Sequence, residues 1–172
     1  LQTKPFAWCL MPTKNPEDEY ALTELLKEED ISRSANSPQN LSLLWDVCRI
    51  PNFQQKGVHL HHKLMKSVFR QLIGFGMLDE GWVEGNLFEL ERNDGGISYV
   101  FKQLEETRTW AYIAHKKDWV RDPKALRRRC LQLEEILSQR LHERLTLQFV
   151  DELAGIKVPK PKPGDVTVDE GM

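Results

Sequence analysis

Between Pro123 and Asp151 apolar side chains recur at helical spacing: Leu126, Cys130, Leu133, Leu137, Leu141 and Leu145, widened by Ile136, Phe149 and Val150. Steps of three and four return a side chain to one face of a helix, so this stripe predicts a single long helix. Asp122-Pro123 supplies a cap followed by a proline at the first helical position. At 1.5 Å per residue the helix runs about 40 Å, too long to lie at the periphery of a domain this size. It is expected to be the spine against which shorter helices pack.

The rest of the chain supplies those shorter helices. Glu17, Asp18 and Glu19 suit a helix start, with Leu22, Leu25 and Leu26 as its apolar side. Ser37-Pro38 opens a helix carrying Leu41, Leu44, Trp45 and Cys48, closed by Pro51. A third runs from about Val58 to Ile73, with His61, Leu64, Met65, Val68, Phe69 and Leu72 in register and Gly74 or Gly76 as its stop. Asp79-Glu80 begins a fourth with Val83, Leu87 and Leu90 inside. After the turn Asn93-Asp94-Gly95-Gly96, Ile97, Val100, Phe101, Leu104 and Ala111 mark a fifth, ending near His115. No strand pair is legible after residue 16.

The expected architecture is therefore all-α: a bundle of about six helices around a long C-terminal helix. An extended N-terminal segment over 1–16 holds Phe6, Trp8 and Leu10 in alternation and is expected to dock on this domain or a neighbouring one. The helical domain spans 17–153. From 154 to 172, Pro159, Pro161 and Pro163 alternate with Lys160 and Lys162, which reads as a polyproline linker or tail. The chain opens on Leu1 rather than Met, which reads as a piece of a longer protein.

Composition narrows the function classes. Apolar residues are 40% and charged residues 29% of the chain, a globular balance. No apolar run approaches the ~20 residues that span a bilayer, so no membrane partner is expected. Three scattered cysteines, Cys9, Cys48 and Cys130, fit neither a disulfide framework nor a zinc finger. Cys48 and Cys130 fall on apolar faces and read as buried small hydrophobes in a reducing compartment.

Catalytic wording is missing from these residues. There is no GxxxxGK[ST] loop, no HExxH and no GxSxG. His59, His61 and His62 cluster at a helix start without the spacing a metal needs, and His61 is expected to be partly packed. His142 and Glu143 are adjacent on a helix and so point about 100° apart, which prevents them from acting as a facing pair. Arg108 follows Leu104 by one turn and is expected on or beside the buried stripe, either in an interhelical ion pair with Asp46, Glu134 or Glu143, or on a phosphate.

The strongest local signal is electrostatic. Residues 116–130 hold Lys116, Lys117, Arg121, Lys124, Arg127, Arg128 and Arg129 against Asp118 and Asp122, a local charge of +5 in a chain whose total is −2. The stretch 16–30, with seven acids and one lysine, is its opposite. Trp110, Tyr112 and Trp119 lie in or beside the basic segment. Cations interleaved with aromatic faces are what single-stranded nucleic acid requires, through phosphate neutralisation and base stacking. The competing reading is a solvated basic face with Trp110 and Trp119 in the core.

The wording of four blocks resembles a known family. Leu44-Trp45-Asp46-Val47-Cys48-Arg49-Ile50-Pro51-Asn52-Phe53 is similar to the "LWDVC-IPDF" signature that follows the second RecA-like domain in superfamily 2 RNA helicases of the mitochondrial degradosome type and their bacterial relatives. Asp94-Gly95-Gly96-Ile97 resembles their "DGDIDTL" turn. Arg108-Thr109-Trp110-Ala111-Tyr112-Ile113-Ala114-His115, with Asp118-Trp119-Val120 and Asp122-Pro123, resembles "RTWTYVA…DWL.DP". Glu134 through Asp151 resembles "VEDRLSDALHERLTQRFVD". The blocks keep their order over about 41–151.

The resemblance implies a non-catalytic helical accessory module that packs on RecA-like domains in cis and lines a channel for single-stranded RNA or DNA. ATP and Mg would be bound by those RecA-like domains, so enzymatic activity would belong to the parent protein. It implies a bacterial cytoplasm or a mitochondrial matrix. It also implies structural or strand-lining roles for Arg108, Trp110 and Trp119. Charge alone adds Lys116, Lys117, Arg127, Arg128 and Arg129 as strand contacts. Gly96 and Ser98 stand where the family has acids, and Glu152 and Leu153 where it has arginines. Those departures favour an alternative: a helicase-derived structural scaffold that has lost the motor, among the subunits of a larger ribonucleoprotein or organellar assembly.

Overall fold

The computed structural model describes residues 16–53, 58–92 and 95–155. The N-terminal alternation at Phe6, Trp8 and Leu10 and the Pro/Lys tail fall outside them. Among the described residues the chain is all helical, with seven helices and no strand. They are α1 (Glu17–Leu25), α2 (Glu29–Ser34), α3 (Pro38–Cys48), α4 (Val58–Phe75), α5 (Glu80–Glu91), α6 (Ile97–Ile113) and α7 (Pro123–Gly155).

The expected first helix is two helices. The chain turns at Leu26-Lys27-Glu28, with Leu26 N bonded to Leu22 O at 3.0 Å and Glu28 N to Leu25 O at 3.1 Å. The turn lets both Leu25 and Ile31 become buried, α1 against α3 and α4, α2 against α4. One straight helix would put their Cα atoms about 9 Å apart along its axis and about 120° apart around it. Lys66 and Arg70 on α4 tie α2 down through Glu28 (2.6 Å) and Asp30 (2.7 Å).

The caps read from sequence are in place. Ser37 Oγ accepts from Asn40 N at 3.1 Å, Asp79 Oδ1 from Trp82 N at 2.7 Å, and Asp122 Oδ1 from Lys124 N and Ala125 N at 3.0 and 2.9 Å. Gly76 ends α4 in the left-handed region, φ 75°, a conformation a Cβ disfavours.

The helices form two groups. α1 to α4 pack on one another, with α3 and α4 at the centre. α5, α6 and α7 form the second group, in which α6 against α7 is the most extensive contact in the molecule. One continuous apolar core joins them, running from Leu25 and Ile31 through Leu44, Phe69 and Ile113 to Leu133 and Leu137. Connectors reinforce the seam: Leu78 N donates to Trp119 O at 2.8 Å, and Lys116 of the α6–α7 connector pairs with Asp46 of α3 at 3.6 Å. Cys48 and Cys130 are buried, and burial pushes their thiols up to about 12 and about 11.

The spine is buried only along its first half. Leu126, Cys130, Leu133 and Leu137 are in the core and Leu141 is half-buried. Leu145, Phe149 and Val150, expected on the same stripe, are 45%, 62% and 54% exposed. α6 and α7 run antiparallel from a short connector, and α7, at 33 residues against 17, outruns its partner. No helix among the described residues is long and apolar enough to cross a membrane.

Candidate nucleic-acid interface

α6 presents Val100, Gln103, Thr107 and Trp110 to the interior at three-four spacing, continued by Ala114 just past its end, and buries Thr109 and Ile113 off that row. Leu104 and Ala111 are only half-buried, one step round the helix from that row. Arg108 lies beyond them and is exposed. It forms no ion pair with a described residue, so the expected interhelical pair is corrected. Asp46 is engaged by Lys116 and by Arg49 at 3.8 Å instead. Gln103, buried on this helix along with Thr107 and Thr109, donates Nε2 to Leu90 O (2.6 Å) and Arg92 O (2.7 Å) at the end of α5.

Trp110 is 3% and Trp119 6% exposed. Both rings are therefore interior, the placement of the competing reading. Trp110 meets the ring of Trp82 edge-on at 5.4 Å. Trp119 lies under the Lys116 ammonium, which sits 5.5 Å from its ring and 5.1 Å from that of Tyr112.

The seven cations of the basic segment divide by environment. Arg129 is turned inward, bonded to Glu91 at 2.6 Å and Glu84 at 3.3 Å. The hydrogen bond and charge of Glu91 hold its guanidinium still more firmly protonated than usual. Lys116 is committed to Asp46 and the two rings, and Arg121 to Glu80 at 3.7 Å. These contacts hold Lys116, Arg121 and Arg129 to carboxylates of the fold itself. Lys117, Lys124, Arg127 and Arg128 form no ion pair with a described residue.

Arg108, Lys124 and Arg127 share a side. α5 covers one flank of the α6–α7 pair, touching Gln103 on α6, and Arg129 and Arg140 on α7. Arg108 lies about 140° round α6 from Gln103, and Lys124 and Arg127 lie about 140° and 160° round α7 from Arg129. All three are turned away from α5, onto the open flank, with Arg128 at its margin. Phe101, two turns from Arg108 on the same side of α6, is 48% exposed, and Leu131 beside Arg127 is 65% exposed. Phe101 is an exposed ring on that side, whereas Trp110 takes the interior placement that was one of its two expected ones. The seven-residue spacing of Phe101 from Arg108 was the available signal, masked by its place among apolar neighbours. Glu84 and Glu91, seven apart on one face of α5, carry the corresponding signal for Arg129.

His61 is half-buried, as expected, and donates Nε2–H to Ile50 O at 2.9 Å. His142 and Glu143 are both exposed, and Glu143 accepts from Gln139 at 2.9 Å. No group of three His, Cys, Asp or Glu side chains that could hold a metal ion is found among the described residues. The chain matches no family model, no curated protein and no solved structure.

Proposed function

We propose that the chain is a non-catalytic helical accessory module of an ATP-dependent RNA or DNA helicase. It packs on RecA-like domains and forms one wall of the channel for the single strand. The strand runs over the open flank of α6 and α7, with Arg108, Lys124, Arg127 and Arg128 against phosphates and Phe101 against a base. Four ordered blocks of family-like wording support the assignment of the parent. The observation that supports the strand contact is the division of the cations: those inside the fold have carboxylate partners, while those on one flank have none among the described residues. An unpaired guanidinium beside an exposed ring costs the folded protein nothing in water and is available to a polyanion.

The test is strand binding as a function of salt. The triple variant Arg108→Glu, Arg127→Glu and Arg128→Glu is expected to weaken binding to an oligonucleotide and flatten log K against log salt by about 2, at ~0.7 per phosphate contact. Wild-type slope in that variant excludes this flank. The scaffold alternative draws on a different feature, the exposed Leu145, Leu147, Phe149 and Val150 at the far end of α7. It predicts association with protein subunits that survives the same three charge reversals.

A further inference from the structure

A cleft of about 420 Å³ opens at the seam between the two helix groups, bounded by α4, α5, α6 and the turn after α3. Asn52, Lys63, Trp82, Asn86, Glu106 and Thr109 line it, so one carboxylate stands in the cleft beside the one ammonium. It lies on the other side of α6 from the basic flank, since Trp110 is about 200° round the helix from Arg108. Its volume falls within the usual range for small-molecule sites.

The polar groups around the cleft are only partly used by the fold. The Asn52 carboxamide makes no hydrogen bond with a described residue. Asn86 donates Nδ2 to Trp82 O at 2.7 Å, which leaves its Oδ1 open as an acceptor. The Thr109 hydroxyl reaches Pro51 O and Glu105 O only at 3.5 and 3.4 Å, the outer limit of a hydrogen bond. Lys63 is exposed and forms no ion pair with a described residue. The half-buried indole of Trp82 is held by its edge-to-face contact with Trp110.

A ligand complementary to this set needs a flat unsaturated face for the indole, donors and acceptors on its edge for two carboxamides, and an anionic group for the ammonium. An aliphatic ligand would desolvate both carboxamides without replacing their water. A nucleobase carrying a phosphate has all three features. We propose that this cleft binds one unstacked nucleobase, stacked on Trp82, hydrogen-bonded at its edge by Asn52 and Asn86, with its phosphate at Lys63. The base comes either from a free mononucleotide or from the strand. The second source rests on the strand-binding reading above; the first does not.

Both sources are distinguished by one set of titrations on the 172-residue chain, with ribonucleoside 5′-monophosphates and with a single-stranded oligonucleotide, followed by tryptophan fluorescence. Mononucleotides are expected to quench the emission, and Trp82→Phe to lose most of that quench. Asn52→Ala and Asn86→Ala are each expected to weaken binding about tenfold while leaving the melting temperature in place. If mononucleotides bind in this way and the oligonucleotide does not, the pocket stands and the strand reading falls. If the oligonucleotide binds with a salt slope set by the flank arginines, mononucleotides do not bind, and both asparagine variants behave as wild type, the pocket is overturned and the strand reading stands. Strand affinity that drops in the asparagine variants with its salt slope unchanged assigns the base to the strand. Binding of neither ligand overturns both proposals.

Discussion

Arg127 and Arg129 are two positions apart, and helix geometry sends them to opposite sides of α7. Arg129 meets Glu84 and Glu91 under α5, with its side chain 24% exposed, while Arg127 faces away from α5. Reversing the charge at Arg129 sets three carboxylates together, so Arg129→Glu is expected to cost about 2 kcal/mol in urea denaturation, against less than about 0.5 for Arg127→Glu. His61 adds a pH dependence. Burial lowers its pKa from the usual 6.5, outweighing the hydrogen bond to Ile50 O, and burial likewise lowers His62. The unfolded chain then binds protons that the folded one rejects, so stability is full above pH 6.5 and declines as the pH falls toward the lowered folded values. Denaturation midpoints measured at pH 7 and pH 5 are expected to show that decline. It should shrink in His61→Gln, which can still donate to Ile50 O without titrating.

At the scale of the element, α7 shows that apolar periodicity and burial are separate properties. Periodicity is a property of the helix alone, and it runs unbroken from Leu126 to Leu145. Burial needs a neighbour, and α6 is too short to provide one along the whole length. Leu137→Ala, at 0% exposure, is expected to cost about 2–5 kcal/mol through the cavity it leaves. Leu145→Ala, at 45% exposure, is expected to stay within about 0.5 kcal/mol. Thermal melts of the two variants measure the difference directly. The split of α1 from α2 has a related origin. The sequence marks a single helix start at Glu17, yet Leu25 and Ile31 both reach the core only because the chain turns between them.

For the molecule as a whole, the decisive feature is the seam between the α1–α4 and α5–α7 groups, which leaves a cleft on one side of α6 and a basic flank on the other. Although the chain is −2 overall, Arg108, Lys124 and Arg127 lie on one flank without an ion pair to a described residue, while Arg129 is paired beneath α5. Phe101→Ala beside the flank is expected to weaken an oligonucleotide by about 1–3 kcal/mol without changing its salt slope, the signature of stacking rather than phosphate contact. Measuring affinity across a salt series separates the two. By itself the amino-acid sequence determined the helical class, the caps at Ser37, Asp79 and Asp122 and the apolar row from Leu126 to Leu137. Each of these follows from contacts within a few residues, where spacing and hydrogen-bonding chemistry suffice. Only the tertiary structure decided that Trp110 and Trp119 are interior, that Lys116 and Arg129 are bound within the fold, and that Asn52, Trp82 and Asn86 meet. Those outcomes depend on which faces of separate helices are brought together, and the local sequence around each residue carries no record of its distant partner.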